Sequence, residues 1–257
     1  MKVLEQNFGE QVRDIKEKLD KQGYVVYKNW INTTSTLEEA KASFLEISKM
    51  VGEPISHDGN NSIIWDIKSR PTSEGGVITY SEHSHEAELH TDSQYSTYPE
   101  DYFGLLTLKR ASCGGGLSLI LTLDDILREL RFNANGEEVE SILRNSDFPF
   151  IIPRVFKRNQ MSEDPEFNFG PILRDNEIRF RVDTLEKSIE LYPEFCSTQQ
   201  VEAYRLLKKI ILESASIKRF YLEDGDLIFI NNKTVLHGRT QFMDQDRHLL
   251  RIRMNKR

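Results

Sequence analysis

Glu88-Leu89-His90-Thr91-Asp92-Ser93-Gln94-Tyr95 carries a His-x-Asp pair. On an extended backbone, residues i and i+2 point to the same side, with Cα atoms about 6–7 Å apart given the strand rise. An imidazole and a carboxylate then converge on one point, as two neighbouring ligands of a divalent metal do. Read alone, the tripeptide is as well explained by a solvated loop histidine beside an N-cap aspartate. A third ligand has to come from elsewhere, and Asn231-Asn232-Lys233-Thr234-Val235-Leu236-His237-Gly238-Arg239 offers one in His237. Arg251 follows it by fourteen residues.

His90, Asp92 and His237 together make two imidazoles and one carboxylate. Bound on one face of a metal with the other positions open, that donor set suits non-haem iron(II). The bulk composition is compatible with such a site. The chain has 257 residues, 38% hydrophobic and 29% charged, enough for one domain of the larger barrel type over 1–257. A net charge of −7 and a pI near 5.5 lack the basic stripe that marks nucleic-acid binding and fit a small-molecule substrate. Cys113 and Cys196 form neither a metal motif nor a disulfide framework. The chain shows no signal-type apolar run and nothing near eighteen consecutive apolar residues, so a cytoplasmic protein that does not enter the membrane is expected.

Working outward, Val12, Ile15 and Leu19 predict an amphipathic helix over 9–22. Gly23 ends it before the β-rich run Tyr24–Tyr27. A second helix is expected over 36–51, capped by Ser35 with Glu38. The Ile63-Ile64-Trp65 run reads as a strand. His57, His83 and His85 precede the metal motif, and the spacing of the last two raises a second metal site against a polar lip beside the first. Strands are expected at 102–108 and 117–121, short helices at 124–130 and 136–143, and an irregular edge strand over 148–156 because of Pro149 and Pro153. Residues 157–170 read as a loop or lid. Arg179, Arg181 and Asp183 are expected on one face of a strand. A helix over 198–214 has its capping box in Ser197 and Gln200. Leu227–Ile230 reads as a buried strand. Arg247–Met254 alternates, with Leu250, Ile252 and Met254 on one face and Leu249, Arg251 and Arg253 on the other. One-sided arginines beside a metal suit an anionic co-substrate.

These elements, with Gly23-Tyr24-Val25-Val26, Leu89-His90-Thr91-Asp92, Gly115-Gly116-Leu117-Ser118, Gly225-Asp226-Leu227 and Leu236-His237-Gly238-Arg239, resemble the Fe(II)/2-oxoglutarate-dependent dioxygenases of the taurine-dioxygenase and clavaminate-synthase-like superfamily. The resemblance runs from about residue 20 to the C-terminus. It implies a mainly β fold with flanking α-helices around a double-stranded β-helix, or jelly roll. It implies Fe(II) on His90, Asp92 and His237, with 2-oxoglutarate and O2 as co-substrates. Arg251, by its offset from His237, would hold the distal carboxylate of 2-oxoglutarate, with Ser118 as its hydroxyl partner. Arg247 is the alternative if the register differs. Arg253 is a further candidate for substrate or the other carboxylate, and Asp183 and Arg181 are candidates for substrate.

The implied reaction hydroxylates an unactivated C–H of an amino acid or amino-acid-derived metabolite, free or carrier-bound, with succinate and CO2 as co-products. Desaturation, cyclisation and a taurine-like sulfonate substrate are alternatives within the superfamily, and Asp92 argues against halogenation. One departure stands out. Some amino-acid hydroxylases of the clavaminate-synthase-like branch carry a substrate-binding arginine four residues after the 2-oxoglutarate arginine, where this chain has Asn255. Outside the superfamily, the residues leave open a non-catalytic metal-binding jelly-roll module and a metal hydrolase or isomerase without a co-substrate.

Overall fold

The computed structural model describes residues 2–56, 62–69, 83–153, 157 and 164–257, with side chains placed from Gly9 onward except Gln11. The chain opens with α1 (Lys2–Gln22), β1 (Tyr24–Tyr27), α2 (Leu37–Val51), β2 (Glu53–Ile55) and β3 (Trp65–Lys68). The central part holds β4 (Ala87–His90), β5 (Tyr102–Lys109), β6 (Ser118–Thr122), α3 (Leu123–Arg131), α4 (Gly136–Asn145), β7 (Phe148–Ile151), β8 (Phe167–Gly170), β9 (Leu173–Arg174) and β10 (Glu177–Ile178). It closes with α5 (Val182–Leu191), α6 (Thr198–Glu213), β11 (Lys218–Phe220), β12 (Leu227–Asn231), β13 (Val235–Arg239) and β14 (His248–Asn255).

Two antiparallel sheets carry the fold. One runs β1-β12-β5-β14-β2, with β3 also paired to β14; the other runs β11-β6-β13-β4. Side-chain alternation sends each strand's residues to two layers. On β14, Leu250, Ile252 and Met254 are fully buried beneath α1 and α2, against Ile15, Leu19, Phe44 and Ile47. Leu249 points the other way and joins Phe103, Ile228 and Ile230 from its own sheet to Ile120 and Val235 from the facing one. Arg251 and Arg253 share that inward parity, as expected. The second sheet's outer face, with Leu89, Leu119, Leu121 and Leu236, packs under α3, α4 and α6. Each fully buried Leu, Ile or Phe contributes roughly 1.5–3 kcal/mol of transfer free energy, so both outer faces are strongly committed. The space between the sheets is left for polar groups at one end.

Local signals place most elements. Gly23 ends α1 at φ +78, where a Cβ would lie 2.4 Å from Val235 Cγ2, so the residue must be glycine on both counts. The Ser197–Gln200 capping box forms as expected. The first capping box is shifted by one residue: Thr36 caps α2 and Glu39 reciprocates, in place of Ser35 and Glu38. Both pairs satisfy the sequence pattern, and burial of Ala40, Phe44, Ile47 and Val51 selects the phase. The strand expected at 63–65 lies at Trp65–Lys68, in register with β14.

The edge strand expected over 148–156 is described only at Phe148–Ile151, paired with β8, which lies inside the stretch expected as loop. The expected strand Arg179–Asp183 does not form. The extended segment ends at Ile178 and α5 begins at Val182, because Val182, Leu185 and Ser188 bury one helical face. Among the described residues no helix is long and apolar enough to cross a membrane.

Candidate active site

Hydrogen bonding between β13 and β4 sets His237 directly opposite His90, and the two rings lie 4.3 Å apart between centroids. Between His237 and Arg239 the register shifts, so that Gly238 faces a bulge in β4. A Cβ at Gly238 would stand 2.7 Å from the carbonyl oxygen of Ala87, which explains the glycine. Phe103 packs on the other side of His237 at 4.5 Å.

Asp92 does not continue the strand. β4 ends at His90, and the following turn includes Ser93 at φ +51. Three other restraints bring the carboxylate back beside the histidines. Thr91 exchanges hydrogen bonds with Phe180: its amide donates to the Phe180 carbonyl at 2.8 Å and its hydroxyl accepts from the Phe180 amide at 3.1 Å. Asn232 accepts the Asp92 amide at 2.8 Å. Arg251 Nη1 donates to Asp92 Oδ2 at 3.1 Å.

The resulting donor set fits a metal. Asp92 Oδ1 lies 3.6 Å from His90 Nε2 and 3.9 Å from His237 Nε2, and the three ligand atoms all fall within 4.8 Å of one another. Three ligands on one octahedral face lie about 3 Å apart at bond lengths near 2.1 Å, a gap that small side-chain rotations close. His90 Nδ1 contacts the Glu88 carbonyl at 2.7 Å, which makes it the protonated nitrogen and leaves Nε2 as the ligand.

Burial above all, then the neighbouring His90, holds the His237 pKa well below 6.5, so this ring stays neutral. Burial opposes ionisation of Asp92, yet Arg251, then His90, Arg253 and His237, keep its carboxyl well below the usual carboxylate range. His237 and Asp92 are therefore in the protonation state that a metal requires. Among the described residues this is the one cluster of three such groups.

His83 and His85 do not build a second one. Their rings are 5.7 Å apart, and their carbonyls accept Arg239 Nη2 at 2.8 and 2.6 Å. His57 lies outside the described residues.

The arginines are distributed differently from their sequence order. Arg251 is committed to Asp92, and its Nε has no partner among the described residues. Arg253 pairs with Glu100 at 2.8 Å and reaches Asp92 Oδ2 at 3.8 Å. Its Nε–H does not point along the Glu100 contact, so this is an ion pair rather than a linear hydrogen bond. Arg247 is 7% exposed and stacks on Phe242 at 5.1 Å; Arg239, also 7% exposed, lies over the same ring at 4.7 Å. No carboxylate pairs with Arg247 among the described residues, and burial, then Arg239, pushes its pKa down to about 9.

Ser118 sits directly opposite Arg239 in the β6–β13 ladder. Gly116 approaches Arg247 closely: a Cβ there would be 3.6 Å from Nε. Arg181 and Asp183 form a two-point ion pair with each other, at 2.7 and 3.0 Å, across the start of α5. They do not share a strand face with Arg179, which instead donates to the Gln94 carbonyl. Arg181 is near enough to contribute, as the smallest of the named causes, to the lowered His237 pKa.

Sequence reasoning missed Asn232 and Glu100. Asn232 lay within the quoted segment, but only its contacts with Asp92 single it out.

Two antiparallel sheets enclosing a His-Asp-His cluster define a class of protein, and the family comparison agrees with it. The chain belongs to the taurine catabolism dioxygenase TauD, TfdA family, whose profile matches residues 3–253.

Solved structures share the fold. Asparagine oxygenase in complex with Fe(II), 2S,3S-3-hydroxyasparagine and succinate superposes with a TM-score of 0.71 at 18% identity, over 96% of this chain and 78% of that one. The non-heme iron oxygenase OrfP in complex with Fe and alpha-ketoglutaric acid gives 0.68 at 18% identity, over 98% and 80%. OrfP with Fe, succinate and (3S)-hydroxy-L-Arg gives 0.67 at 19%, over 96% and 80%. No curated protein matches the chain.

Proposed function

We propose that this protein is an Fe(II)/2-oxoglutarate-dependent oxygenase that hydroxylates an amino acid or an amino-acid-derived metabolite, and that its two sheets form a single double-stranded β-helix domain. The observation that carries the reading is the convergence of His90 Nε2, His237 Nε2 and Asp92 Oδ1, with Arg251 and Arg253 of the facing sheet on the other oxygen of Asp92. Family membership and the likeness to asparagine oxygenase and OrfP support the chemistry and the amino-acid substrate class. Iron(II) with 2-oxoglutarate and O2 supplies the oxidative chemistry that inserts oxygen into a C–H bond, with succinate and CO2 as co-products.

The chain's own residues then have separable tasks. His90, Asp92 and His237 hold the metal. Arg247 is the cation best suited to the distal carboxylate of 2-oxoglutarate. No carboxylate pairs with it among the described residues, whereas Arg251 already has Asp92. Burying an unpaired guanidinium is costly unless a ligand supplies the counter-charge. Arg239 shares the Phe242 ring with Arg247, and Ser118 is the cross-strand partner of Arg239. His237 and Arg239 are two residues apart on β13.

This departs from the expectation that placed Arg251 in the role, and it removes an anomaly. The residue four positions after Arg247 is Arg251, so the substrate-carboxylate arginine of the clavaminate-synthase-like branch has a counterpart. On this reading the position to compare is Arg251 in place of Asn255. Arg251 Nε, buried and without a partner among the described residues, is the donor for that carboxylate, and Arg181 and Asp183 are the candidates for the rest of the substrate.

The test is anaerobic titration of the protein with Fe(II) and 2-oxoglutarate, followed by the weak visible charge-transfer band of the chelate. A band that disappears in His237→Ala supports the reading, and succinate release then screens amino acids. Iron bound with no band would sink it in favour of a co-substrate-free metal protein.

A further inference from the structure

Asp92 has two oxygens, and the structure gives them different partners. Oδ1 is the atom that approaches His90 and His237, at 3.6 and 3.9 Å. Oδ2 lies on the arginines, 3.1 Å from Arg251 Nη1 and 3.8 Å from Arg253 Nη2. Arg253 is itself anchored by Glu100, which is 3% exposed. The backbone is fixed by a separate group. Asn232, 1% exposed, accepts the Asp92 amide at 2.8 Å and donates to the carbonyls of Asp92 and Glu100, each at 3.1 Å. One amide side chain thus ties together both acidic residues of the network, and it sits in the turn between β12 and β13, five residues before His237.

We propose that Asn232, Glu100 and Arg253 form a clamp that keeps Asp92 a one-oxygen ligand, with Oδ1 reserved for the metal and Oδ2 held by the protein. The inference rests on the metal reading above and deepens it. A carboxylate free to rotate can bind a metal through both oxygens and would then occupy a position that 2-oxoglutarate or O2 requires. Arg251 cannot serve as the permanent restraint if it also meets the substrate carboxylate. Arg253 can, because the buried Glu100 carboxylate already pairs with it. The charges of Glu100 and Arg253 cancel, so the pair orients Asp92 without adding net charge beside the metal. These three are positioning residues: none of them is a metal ligand.

The full chain loaded with Co(II) tests the clamp through metal affinity by calorimetry, the d–d absorption spectrum, and 2-oxoglutarate affinity of the cobalt form. Glu100→Gln keeps the shape, frees Arg253 from its anchor, and is expected to weaken Co(II) binding by about 10- to 100-fold, the usual effect of losing a group that orients a ligand. It is also expected to change the d–d spectrum and weaken 2-oxoglutarate binding. Arg253→Met should do the same, and Arg253→Lys should restore much of the wild-type spectrum, since an ammonium can still bridge the two carboxylates.

Folded variants with wild-type Co(II) affinity and an unchanged spectrum overturn the clamp while leaving the metal site standing. If Arg253→Met does not fold, the near-isosteric Glu100→Gln decides. A wild-type chain whose Co(II) binding is indifferent to His237→Ala would remove the metal reading and the clamp together.

Discussion

Replacing Arg247 by Met separates the two arginine assignments. The guanidinium is buried against Phe242 and Gly116, beside Arg239, with no carboxylate partner among the described residues. A ligand carboxylate there would make charge-assisted hydrogen bonds in a desolvated position. Such a bond contributes about 1.5–3 kcal/mol, and truncating one side of a buried charge pair costs about 2–5 kcal/mol. A central figure of about 3 kcal/mol corresponds to a roughly 150-fold weaker affinity for 2-oxoglutarate.

The same substitution should not destabilise the fold in the absence of 2-oxoglutarate. It removes a buried charge that has no carboxylate partner among the described residues and keeps an apolar side chain on Phe242. Arg251→Met should behave in the opposite way, since it strips Asp92 of its nearest cation and should lower the melting temperature while weakening 2-oxoglutarate less. Calorimetric titration of both variants in the metal-loaded state, beside thermal melts without co-substrate, reads both quantities. Wild-type 2-oxoglutarate affinity in Arg247→Met, with the loss appearing in Arg251→Met, would refute the assignment and return the role to Arg251.

Other consequences are directly measurable. Gly238→Ala should push β4 from β13, because the new Cβ meets the backbone oxygen of Ala87 at 2.7 Å; metal affinity should fall with most of the secondary structure retained, and an unchanged affinity would remove the bulge from the design of the site. Without metal, stability should decline as pH falls through 6.5. Burial depresses the pKa of folded His237, and also of His83 and His248, so the unfolded chain binds more protons in that range and is favoured by acid. His237→Gln should flatten the slope of melting temperature against pH, and an unaltered slope would contradict this. Thr36→Ala and Ser197→Ala each remove a capping-box hydroxyl and should each cost about 1 kcal/mol in urea denaturation; a loss shared by Ser35→Ala would argue against Thr36 as the cap.

The sequence by itself determined the elements whose physics is local. Ile15 and Leu19 mark one buried helical face, and the alternation from Leu249 to Met254 sorts apolar from basic residues as β14 does, because periodicity is a property of neighbouring positions. His90, Asp92 and His237 could be named together because few residue types bind a divalent metal.

Tertiary structure decided everything that depends on which distant groups meet. Residues 182–191 became a helix because their apolar face is buried with α6 and β7, a contact that outweighs the short alternation at Arg179–Asp183. Asp92 reaches the histidines after leaving its strand because Asn232, 140 residues away, holds its backbone. Above all, the sequence offers Arg247, Arg251 and Arg253 as near equivalents. Only the fold assigns one to a buried position on the Phe242 ring, one to a metal-ligand carboxylate and one to Glu100. A charge takes its role from the counter-charge that long-range packing sets beside it, and the spacing of residues along the chain does not encode that choice.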